Sequence, residues 1–398
     1  MIIGIDNITP GSSTGPTAFG GMRHFLQDLA IQLPGRFPEH QFKFFTPVWS
    51  DPLDLPPAAN LKVVYCPGVP TGQVRRVLYE QLQLGKQIRS QNISTWLGTC
   101  NTLPLQWDGC SVLIVQSLQY FSQPEAFTWL RRLYLRAMVP ISIRRAHRIV
   151  AFSQVAKDRI VRLFDALPSK IDVIHHGLRF SETAISTHSL RREKELVAQT
   201  LGSGHYILCV SAFYPYKNHT RLIEAFAQLK PEFPHKLALI GAETAAVPKV
   251  RLEALAKSHE VDRDVVFLGQ IPDDQLAMFY RHAAVMVMPS LDETFGFPVP
   301  EAMLFGCPVV TSNLSSLPEV SGRAAVLVDP YSARSIADGV RLVLSDHRKR
   351  EEMIREGRDR AKEFTKDRFF SKLANTIEIS SAADSDLRRK TNDAATQS

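Results

Sequence analysis

The sequence predicts an α/β protein of two domains, each built around a parallel β-sheet. Its 398 residues are about twice what a single domain of ~150–200 residues ordinarily holds. Short apolar segments of strand length alternate with amphipathic segments of helix length, as they do in βαβ units. Apolar periodicity fades between residues 180 and 203, and the same alternation then begins again, which indicates a domain boundary.

Composition excludes several classes of protein. Hydrophobic residues make up 44% of the chain and charged residues 22%, which is typical of a globular protein rather than a disordered or membrane-embedded one. The five cysteines are scattered without a C-x-x-C pair, so neither a disulfide framework nor a cysteine zinc site is expected. No basic segment precedes an apolar run at the start, and no run approaches the ~18 apolar residues of a membrane-spanning helix. We therefore expect a cytoplasmic protein.

The net positive charge comes entirely from the first half of the chain. The net charge is +7, and the first 190 residues contain nineteen Lys and Arg against twelve Asp and Glu, while the remainder is balanced. A basic half suggests an anionic partner, which could be nucleic acid, an anionic lipid surface or a phosphorylated substrate. Nucleic acid is not expected, because the basic segments lack interleaved aromatic residues and no recognisable nucleic-acid module is visible.

The first half opens with a strand followed by a glycine-rich segment. Ile2–Ile5 is the first strand candidate, and the glycine-rich segment ends at Gly20 and Gly21. A helix is predicted over 23–33 because its apolar residues recur on one helical face, and Pro34 is expected to end it. Further strands are predicted at 42–45, 62–65, 112–115, 148–152 and 171–174.

The second half repeats this plan from residue 206. Parallel sheets bind ligands at the carboxyl ends of their strands, so the loops that follow strands are the places to look for chemistry. The last residues, from Ser380, contain few large apolar side chains and are predicted to be a solvated tail. The predicted strands are 206–210, 237–240, 265–268, 285–288 and 309–310; the predicted helices are 221–229, 249–259, 274–282, 301–305 and further segments from 333 onward.

One loop of the second half carries two glutamates eight positions apart. Glu293 lies near the end of the loop that follows the strand at 285–288, and Glu301 lies at the start of the next short helix. A helix-dipole cap, worth about 0.3–1 kcal/mol, would explain Glu301 alone but not Glu293. The loop also offers main-chain N–H groups around Gly296 beside a helix amino end, where phosphate binds readily. Carboxylates on both sides of a phosphate site suit a nucleotide sugar.

This segment resembles the E-x7-E motif of the family 4 (group 1) glycosyltransferases. These are retaining enzymes of the GT-B fold, in which two Rossmann-like domains face each other across a cleft. The resemblance implies an acceptor-binding domain over 1–185, a nucleotide-sugar-binding domain over 200–378 and a flexible tail over 380–398. Other segments similar to the family are Gly20–Arg23, Ser153, Lys170–Gly177, Tyr206–Asn218, Val265–Gly269 and Leu314–Val320.

The resemblance implies transfer of a hexose, of mannose type or similar, from a nucleotide diphosphate sugar to a saccharide or lipid-linked acceptor in cell-surface glycan synthesis. Glu293 would hydrogen-bond the transferred sugar, and Lys217 would hold the diphosphate; both are predicted to be catalytic. Glu301 would accept the ribose hydroxyls, since one carboxylate can accept two hydrogen bonds. The other implied donor-binding residues are Ser211, Ala212, Gly269, Phe295, Gly296 and Phe297, and the implied acceptor-side residues are Gly20, Gly21, Arg23 and Gln116.

No cofactor or metal is predicted. In the family proposal the leaving phosphate accepts the proton of the acceptor hydroxyl, and no Asp-x-Asp cluster occurs in a loop suited to hold a cation. The chain departs from the family in two respects. Many members have an arginine where this chain has Ala212, or one just before the lysine where it has Tyr216. Gln116 stands where many members have a histidine, which puts the donor sugar in doubt more than the reaction class.

Alternatives remain open at this stage. A nucleotide-sugar epimerase would share the architecture but needs acid and base groups on both faces of the sugar, and the departures at Ala212 and Gln116 would also suit a non-catalytic binding subunit. Residues 130–148 form a basic amphipathic segment that could lie on an anionic membrane or could simply cover a sheet. The segment from Arg75 could extend that basic face. His175 and His176 are not expected to bind metal, because adjacent strand residues point to opposite faces.

Overall fold

The chain folds into two compact units, each an α/β unit with a parallel sheet. The first unit comprises Met1–Leu118, Trp129–His175 and Phe369–Ser398, and the second comprises Gln119–Thr128 and His176–Arg368. The expected fold class, two Rossmann-like domains with parallel sheets, is confirmed. The computed structural model describes residues 1–8, 20–50, 55, 57–181, 190–202 and 204–396.

The first unit contains a sheet of seven parallel strands in its described residues, in the order β3-β2-β1-β4-β5-β6-β7. Its central strands are buried on both faces, as expected where helices cover a parallel sheet on two sides. The strands are β1 (Ile2–Asp6), β2 (Gln41–Pro47), β3 (Leu61–Cys66), β4 (Thr95–Gly98), β5 (Cys110–Val115), β6 (Arg148–Ala151) and β7 (Ile171–Val173).

The second unit contains six parallel strands in the order β10-β9-β8-β11-β12-β13 within its described residues. This is the strand order of a doubly wound nucleotide-binding sheet. Aliphatic side chains of the strands pack with those of the covering helices into one buried core. The strands are β8 (Tyr206–Val210), β9 (Lys236–Ile240), β10 (Val265–Gly269), β11 (Val285–Met288), β12 (Val309–Ser312) and β13 (Ala325–Val328).

Helices connect the strands and cover both faces of each sheet, and short 3-10 turns, among them Pro215–Lys217, lie between them. In chain order the helices are α1 (Gly20–Arg36), α2 (Gln73–Leu82), α3 (Leu84–Ser90), α4 (Gln119–Ser122), α5 (Trp129–Arg145), α6 (Gln154–Phe164), α7 (Leu190–Leu201), α8 (His219–Leu229), α9 (Lys249–Ser258), α10 (Asp273–His282), α11 (Pro298–Leu304), α12 (Leu317–Ser321), α13 (Ala333–Ser345), α14 (His347–Ala361) and α15 (Lys366–Thr396).

Two short strands and both ends of one helix differ from the expectation. The strands β4 and β13 were not predicted, because β4 has only Trp96 and Leu97 between a threonine and a glycine and β13 is only partly buried. Helix α1 begins and ends three residues beyond the expected 23–33, and Pro34 lies inside its last turn. A proline so close to the carboxyl end removes a single N–H, and the N–H of Phe37 still donates to the carbonyl of Leu33 at 3.1 Å.

The carboxyl-terminal segment also differs from the expected solvated tail. Helix α15 continues to Thr396, and from Phe369 it belongs to the first unit rather than to the nucleotide-sugar domain expected to end at 378. Ser380 is buried, and its Oγ lies 3.1 Å from Sγ of Cys110 on β5. Ser381 Oγ contacts Oγ1 of Thr95 on β4 at 2.7 Å. Small side chains let this helix approach the strands closely, a role that composition alone does not reveal.

The chain changes unit at places other than the expected boundary. Gln119–Thr128, which lies inside the expected first domain, belongs to the second unit. The segment from His176 also joins the second unit, where the N–H of Leu178 donates to the carbonyl of Phe364 at 2.8 Å. These segments therefore bring residues of the first half of the sequence to the second sheet.

Candidate functional site

The second sheet has a topological switch point between β8 and β11. The chain runs from β8 outward to β9 and β10, and then returns to the other side of β8 to build β11, β12 and β13. Ligands of doubly wound sheets bind outside the carboxyl ends of the strands at such a point. Lys217 lies in the loop that follows β8, and Glu293 lies in the loop that follows β11.

Main-chain and side-chain hydrogen bonds tie these two loops together. The N–H of Leu291 donates to the carbonyl of Tyr216 at 2.7 Å. Asn218 adopts a left-handed backbone conformation with φ of 64°, and its Nδ2 donates to the carbonyls of Pro289 at 3.0 Å and Pro330 at 2.7 Å. An asparagine suits this position because it tolerates positive φ and can satisfy nearby carbonyls.

Lys217 and Glu293 form a buried ion pair at the meeting point of the two loops. Nζ of Lys217 lies 2.5 Å from Oε1 of Glu293, and the two side chains are 14% and 8% exposed. Burial by itself lowers the pKa of Lys217, but the attraction of Glu293 outweighs it and the net shift is upward. Lys217 therefore carries its positive charge at neutral pH. Glu293 is held on its other side by Ser315, whose Oγ accepts from its N–H, and by Ser316, whose Oγ donates to its carbonyl, both at 3.0 Å.

The loop between the two glutamates needs glycine at position 296. Gly296 has φ of 88°, and a Cβ placed there would lie 2.6 Å from Cδ2 of Leu317. On one side of it the ring of Phe295 is buried, with centroid distances of 5.4 Å to Phe364 and 5.3 Å to Phe297. The ring of Phe295 anchors the loop, so the main chain around Gly296 is fixed in front of the first turn of α11.

Glu301 lies in that first turn and is almost completely buried, at 1% exposed. Arg179 donates from Nε to its Oε1 at 3.2 Å and from Nη2 to its Oε2 at 2.9 Å. Tyr280 donates its hydroxyl to the same Oε2 at 3.1 Å. Burial and the neighbouring Glu301 carboxylate raise the pKa of Tyr280 well above its usual value, so this hydroxyl keeps its proton.

Arg179 is a site residue that sequence reasoning missed. The segment Lys170–Gly177 was matched to the family, but the arginine two residues beyond it was not singled out. The signal available in the sequence was an arginine that comes a few residues after the predicted strand 171–174 and after Gly177. Because Arg179 and Glu301 are 122 positions apart, only the folded chain shows that they meet.

The remaining predicted donor-side residues lie at or just after the carboxyl ends of β8 and β10 in the second unit. Oγ of Ser211 lies 3.1 Å from Nε2 of His219, and the side chain of Ala212 is partly exposed. Gly269 has φ of 67°, and its carbonyl accepts from the N–H of Gly241 at 2.8 Å. Burial and the nearby Lys217 lower the pKa of His219 to about 3, so this ring is neutral at pH 7.

His176 supports the loop around Gly296 by packing against one of its aromatic rings. Its ring packs edge-to-face on Phe297 with a centroid distance of 4.5 Å, and its Nδ1 lies 2.8 Å from the carbonyl of Gly177. Burial lowers the pKa of His176 to about 4, so the ring is neutral, and a carbonyl partner requires that Nδ1 carry the proton. This environment is that of a packed core histidine.

A segment from the first half of the sequence contacts the residue before Glu293. Asp292 is 1% exposed, and Ser122 donates its hydroxyl to Oδ2 of Asp292. Gln119 donates from Nε2 to the carbonyl of Asp292 at 3.2 Å. Sequence reasoning missed this contact as well, because nothing in 119–122 points to residues about 170 positions away.

The predicted acceptor-side residues belong to the first unit. Gly20 and Gly21 are the first residues of α1, and Arg23 is exposed in its first turn. Gln116 follows β5, where its N–H donates to Oδ1 of Asn101 at 2.7 Å and its Nε2 donates to the carbonyl of Thr99 at 3.1 Å. Gln116 thus lies at the carboxyl edge of the first sheet, and its role in acceptor binding stays a prediction.

One group of side chains in the described part of the chain is spaced to hold a metal ion. It consists of Glu39, His40 and Glu378, all in the first unit, and both carboxylates are exposed. None of these residues belongs to the loops after β8 or β11. The expectation that the reaction needs no metal stays a prediction.

Residues 192–360 match the family model described as glycosyl transferases group 1. The chain is 27% identical over 237 residues to the O-antigen chain mannosyltransferase RfbU of Salmonella typhimurium, a match that covers 60% of this chain and 61% of that protein. It is 28% identical over 269 residues to the O-antigen chain mannosyltransferase B of Escherichia coli, covering 68% of this chain and 70% of that protein. The chain therefore spans less than two thirds of the Salmonella relative.

The fold is similar to that of a solved structure over nearly the whole chain. The structure of Anabaena HepE in complex with UDP-glucose superposes with a TM-score of 0.71 at 19% sequence identity. The superposition covers 95% of this chain and 99% of that one. A likeness at this level of identity shows the fold alone, and it extends over nearly the whole chain.

Proposed function

We propose that the chain transfers a hexose from a nucleoside diphosphate sugar to a saccharide or lipid-linked acceptor, on the premise that residues 192–360 match the family model of the group 1 glycosyl transferases. The observation that carries the proposal is the Lys217–Glu293 pair at the switch point of the second sheet. The two mannosyltransferase relatives favour a hexose of mannose type and a role in cell-surface glycan synthesis.

In the proposed reaction Lys217 and the loop after β11 act on the diphosphate. An ammonium group has three N–H donors, so Lys217 can bind Glu293 and still donate to phosphate oxygens. The main-chain N–H groups of Phe295, Gly296 and Phe297 would add partial positive charge at the amino end of α11. Such fixed donors stabilise the negative charge that grows on the leaving phosphate.

Glu293 would orient the transferred sugar by accepting hydrogen bonds from its hydroxyls. Its carboxylate is fixed by Lys217 and its main chain by Ser315, so it meets the sugar in a defined position. We propose that the anomeric configuration is retained and that the leaving phosphate accepts the proton of the acceptor hydroxyl. No protein base and no metal ion is then required.

A panel of nucleotide sugars tests this proposal. UDP-glucose, UDP-galactose and GDP-mannose are mixed with the full chain, and melting temperature and sugar transfer to saccharide acceptors are measured. Binding to the folded protein raises the melting temperature. Transfer by the parent chain and its loss in Glu293→Gln support the transferase. An epimer formed from donor alone would support an epimerase, and binding without transfer or hydrolysis would support a non-catalytic subunit.

We further propose that the first unit attaches to an anionic membrane surface through α2 and α5. In the first turns of α5, Trp129 is 69% and Leu133 is 61% exposed, and Leu130 is exposed between them. Arg131 and Arg136 on the same helix are also exposed. Tryptophan and leucine beside arginine are the side chains that favour the boundary between lipid headgroups and acyl chains.

Helix α2 extends this surface. Gln81 on α2 donates from Nε2 to the hydroxyl of Tyr134 on α5 at 3.1 Å, so the two helices pack together. Leu78 and Leu82 are exposed on α2, and Arg75 is exposed one turn before Leu78. In the part of the chain that the structure describes, no helix has the length and apolar character needed to cross a bilayer.

Vesicle sedimentation tests the membrane proposal. We expect binding to vesicles that contain phosphatidylglycerol, weaker binding to pure phosphatidylcholine, and release as salt is raised because salt screens the arginines. Trp129→Ser/Leu133→Ser should reduce binding severalfold, whereas Leu190→Ser, which removes an equally exposed leucine from α7, should not. Equal binding to both lipids, or no effect of the double variant, would contradict the proposal.

A further inference from the structure

The sequence assigned both ribose hydroxyls to Glu301, but the structure leaves this carboxylate little capacity for them. A carboxylate offers about four acceptor positions on its two oxygens. Arg179 occupies one on each oxygen and Tyr280 occupies a second on Oε2. One position therefore remains, on Oε1. Because Arg179 and Tyr280 fill both positions on Oε2, Glu301 can accept from a ligand only at Oε1 in this arrangement.

Arg179 is the more accessible member of the pair. Its side chain is 26% exposed, and it uses three of its five N–H groups: two on Glu301 and one, from Nη1, on Oδ1 of Asp273 at 2.9 Å. Its guanidinium also lies over the ring of Phe180, 4.8 Å from the centroid. The guanidinium of Arg179 is thus held by Glu301, Asp273 and Phe180, and two of its N–H groups remain for another partner.

The charge of this cluster favours hydroxyls over phosphate. The positive charge of Arg179 is shared between the carboxylates of Glu301 and Asp273, so it is already balanced before a diphosphate could bind. The unused N–H groups of Arg179 and the remaining position on Glu301 can instead bind groups that both donate and accept. The two adjacent hydroxyls of a ribose have this character.

We propose that Arg179 is a nucleotide-binding residue that shares the ribose with Glu301. One ribose hydroxyl donates to the remaining position on Oε1 of Glu301, and the other accepts from an unused N–H of Arg179. This inference rests on the proposed function, because it requires a nucleotide at the switch point. It assigns the two hydroxyls to two different residues, whereas the expectation from the family was that Glu301 accepts from both.

Deoxynucleotides separate the two hydroxyls. UDP and GDP are titrated calorimetrically into the full chain, each beside its 2′-deoxy and 3′-deoxy forms. For the nucleotide that binds, each missing hydroxyl should weaken affinity about tenfold to a hundredfold, the range for hydrogen bonds to charged groups. If neither deoxy form binds more weakly than its parent nucleotide, the inference is wrong even where sugar transfer is observed.

Two variants assign each hydroxyl to its residue. Arg179→Lys keeps a positive charge beside Glu301 but loses the two-pronged guanidinium. In this variant one deoxy form should bind as well as its parent nucleotide, and the other should still bind more weakly. Glu301→Gln should show the opposite selectivity. Arg341→Lys is the control, since Arg341 forms a similar two-pronged pair with Glu232 at an exposed position on α13, and in this variant both deoxy forms should still bind more weakly.

Each remaining outcome decides a different point. If Arg179→Lys removes the loss of affinity for both deoxy forms, Arg179 only positions Glu301. If it removes neither loss, Arg179 does not face the ribose. Both results overturn the inference. A loss of folding would lower the melting temperature without changing the ratio between ribose and deoxyribose affinities of the folded fraction. If neither UDP nor GDP binds and no sugar is transferred, the proposed function itself fails.

Discussion

The main-chain N–H of Leu291 donates to the carbonyl of Tyr216 at 2.7 Å, and this bond helps to set the register between the two loops of the site. Lys217 follows Tyr216 by one residue, and Glu293 follows Leu291 by two. The bond therefore brings the ammonium and the carboxylate to 2.5 Å from loops 76 positions apart. Because the pair is fixed before any ligand arrives, little reorganisation is needed to use it.

Glu293→Ala should abolish transfer and also destabilise the protein. Loss of the carboxylate leaves the Lys217 ammonium buried without its partner, which costs about 3–5 kcal/mol of unfolding free energy. Sugar transfer and denaturant unfolding are measured together. Lys217→Met/Glu293→Leu should recover most of the stability but no transfer, since an apolar pair can replace a buried ion pair. Transfer at the parent rate by Glu293→Ala would remove Glu293 from the reaction.

Gly296→Ala should lower both stability and donor affinity. A left-handed backbone costs a non-glycine residue about 1–2 kcal/mol, and the added methyl group collides with Leu317. Gly296→Ala/Leu317→Ala should relieve the collision but not the backbone cost. Gly35→Ala in α1, where a Cβ meets no atom within 4 Å, should be neutral or slightly stabilising. Unfolding curves of the three variants check this, and a parent-like Gly296→Ala would disprove the role of the glycine.

The buried His219 should make the protein less stable as the pH falls. Its pKa is about 3 in the folded state, against an ordinary value of 6.5 for an exposed histidine, so the unfolded chain binds the extra proton. The stability that comes from keeping His219 neutral is fully present above about pH 6.5 and is lost as the pH falls toward 3. The loss of unfolding free energy is about 2 kcal/mol at pH 5. His219→Gln should flatten the dependence of melting temperature on pH between 7.5 and 5. His347→Gln, at an exposed position, should leave it unchanged, and equal slopes in all three proteins would contradict the assignment.

Ser122→Ala should raise the donor KM with little effect on kcat. Ser122 donates to the buried carboxylate of Asp292, which precedes Glu293, so its loss loosens the loop rather than removing a reacting group. We expect an increase of severalfold to about tenfold, because only part of the free energy of one hydrogen bond to a charged group reaches the donor through the loop. Steady-state kinetics measure the split, and Ser122→Thr should restore it. Ser258→Ala, which removes an exposed hydroxyl from α9, is the control and should behave as the parent.

Much of the fold was readable from the sequence because its signals are local. The apolar run 206–210 was predicted as a strand and forms β8 with the same bounds, and the strand at 285–288 likewise forms β11. The strand β4 was not predicted, because only two of its four residues, Trp96 and Leu97, are large and apolar. The helical tail after Ser380 escaped because small serines read as solvent-facing, whereas in the folded chain they pack against Cys110 and Thr95.

The sequence by itself determined the two parallel-sheet units, because periodicity is a property of neighbouring residues. Its resemblance to a family singled out Lys217 and Glu293, whose roles in the reaction stay predictions. Only the tertiary structure decided that Arg179 covers Glu301 and that Ser122 contacts Asp292. Those pairs join positions more than a hundred residues apart, and their meeting depends on how loops pack at the edge of a sheet. No local pattern records such packing, since it follows from the burial of the whole chain.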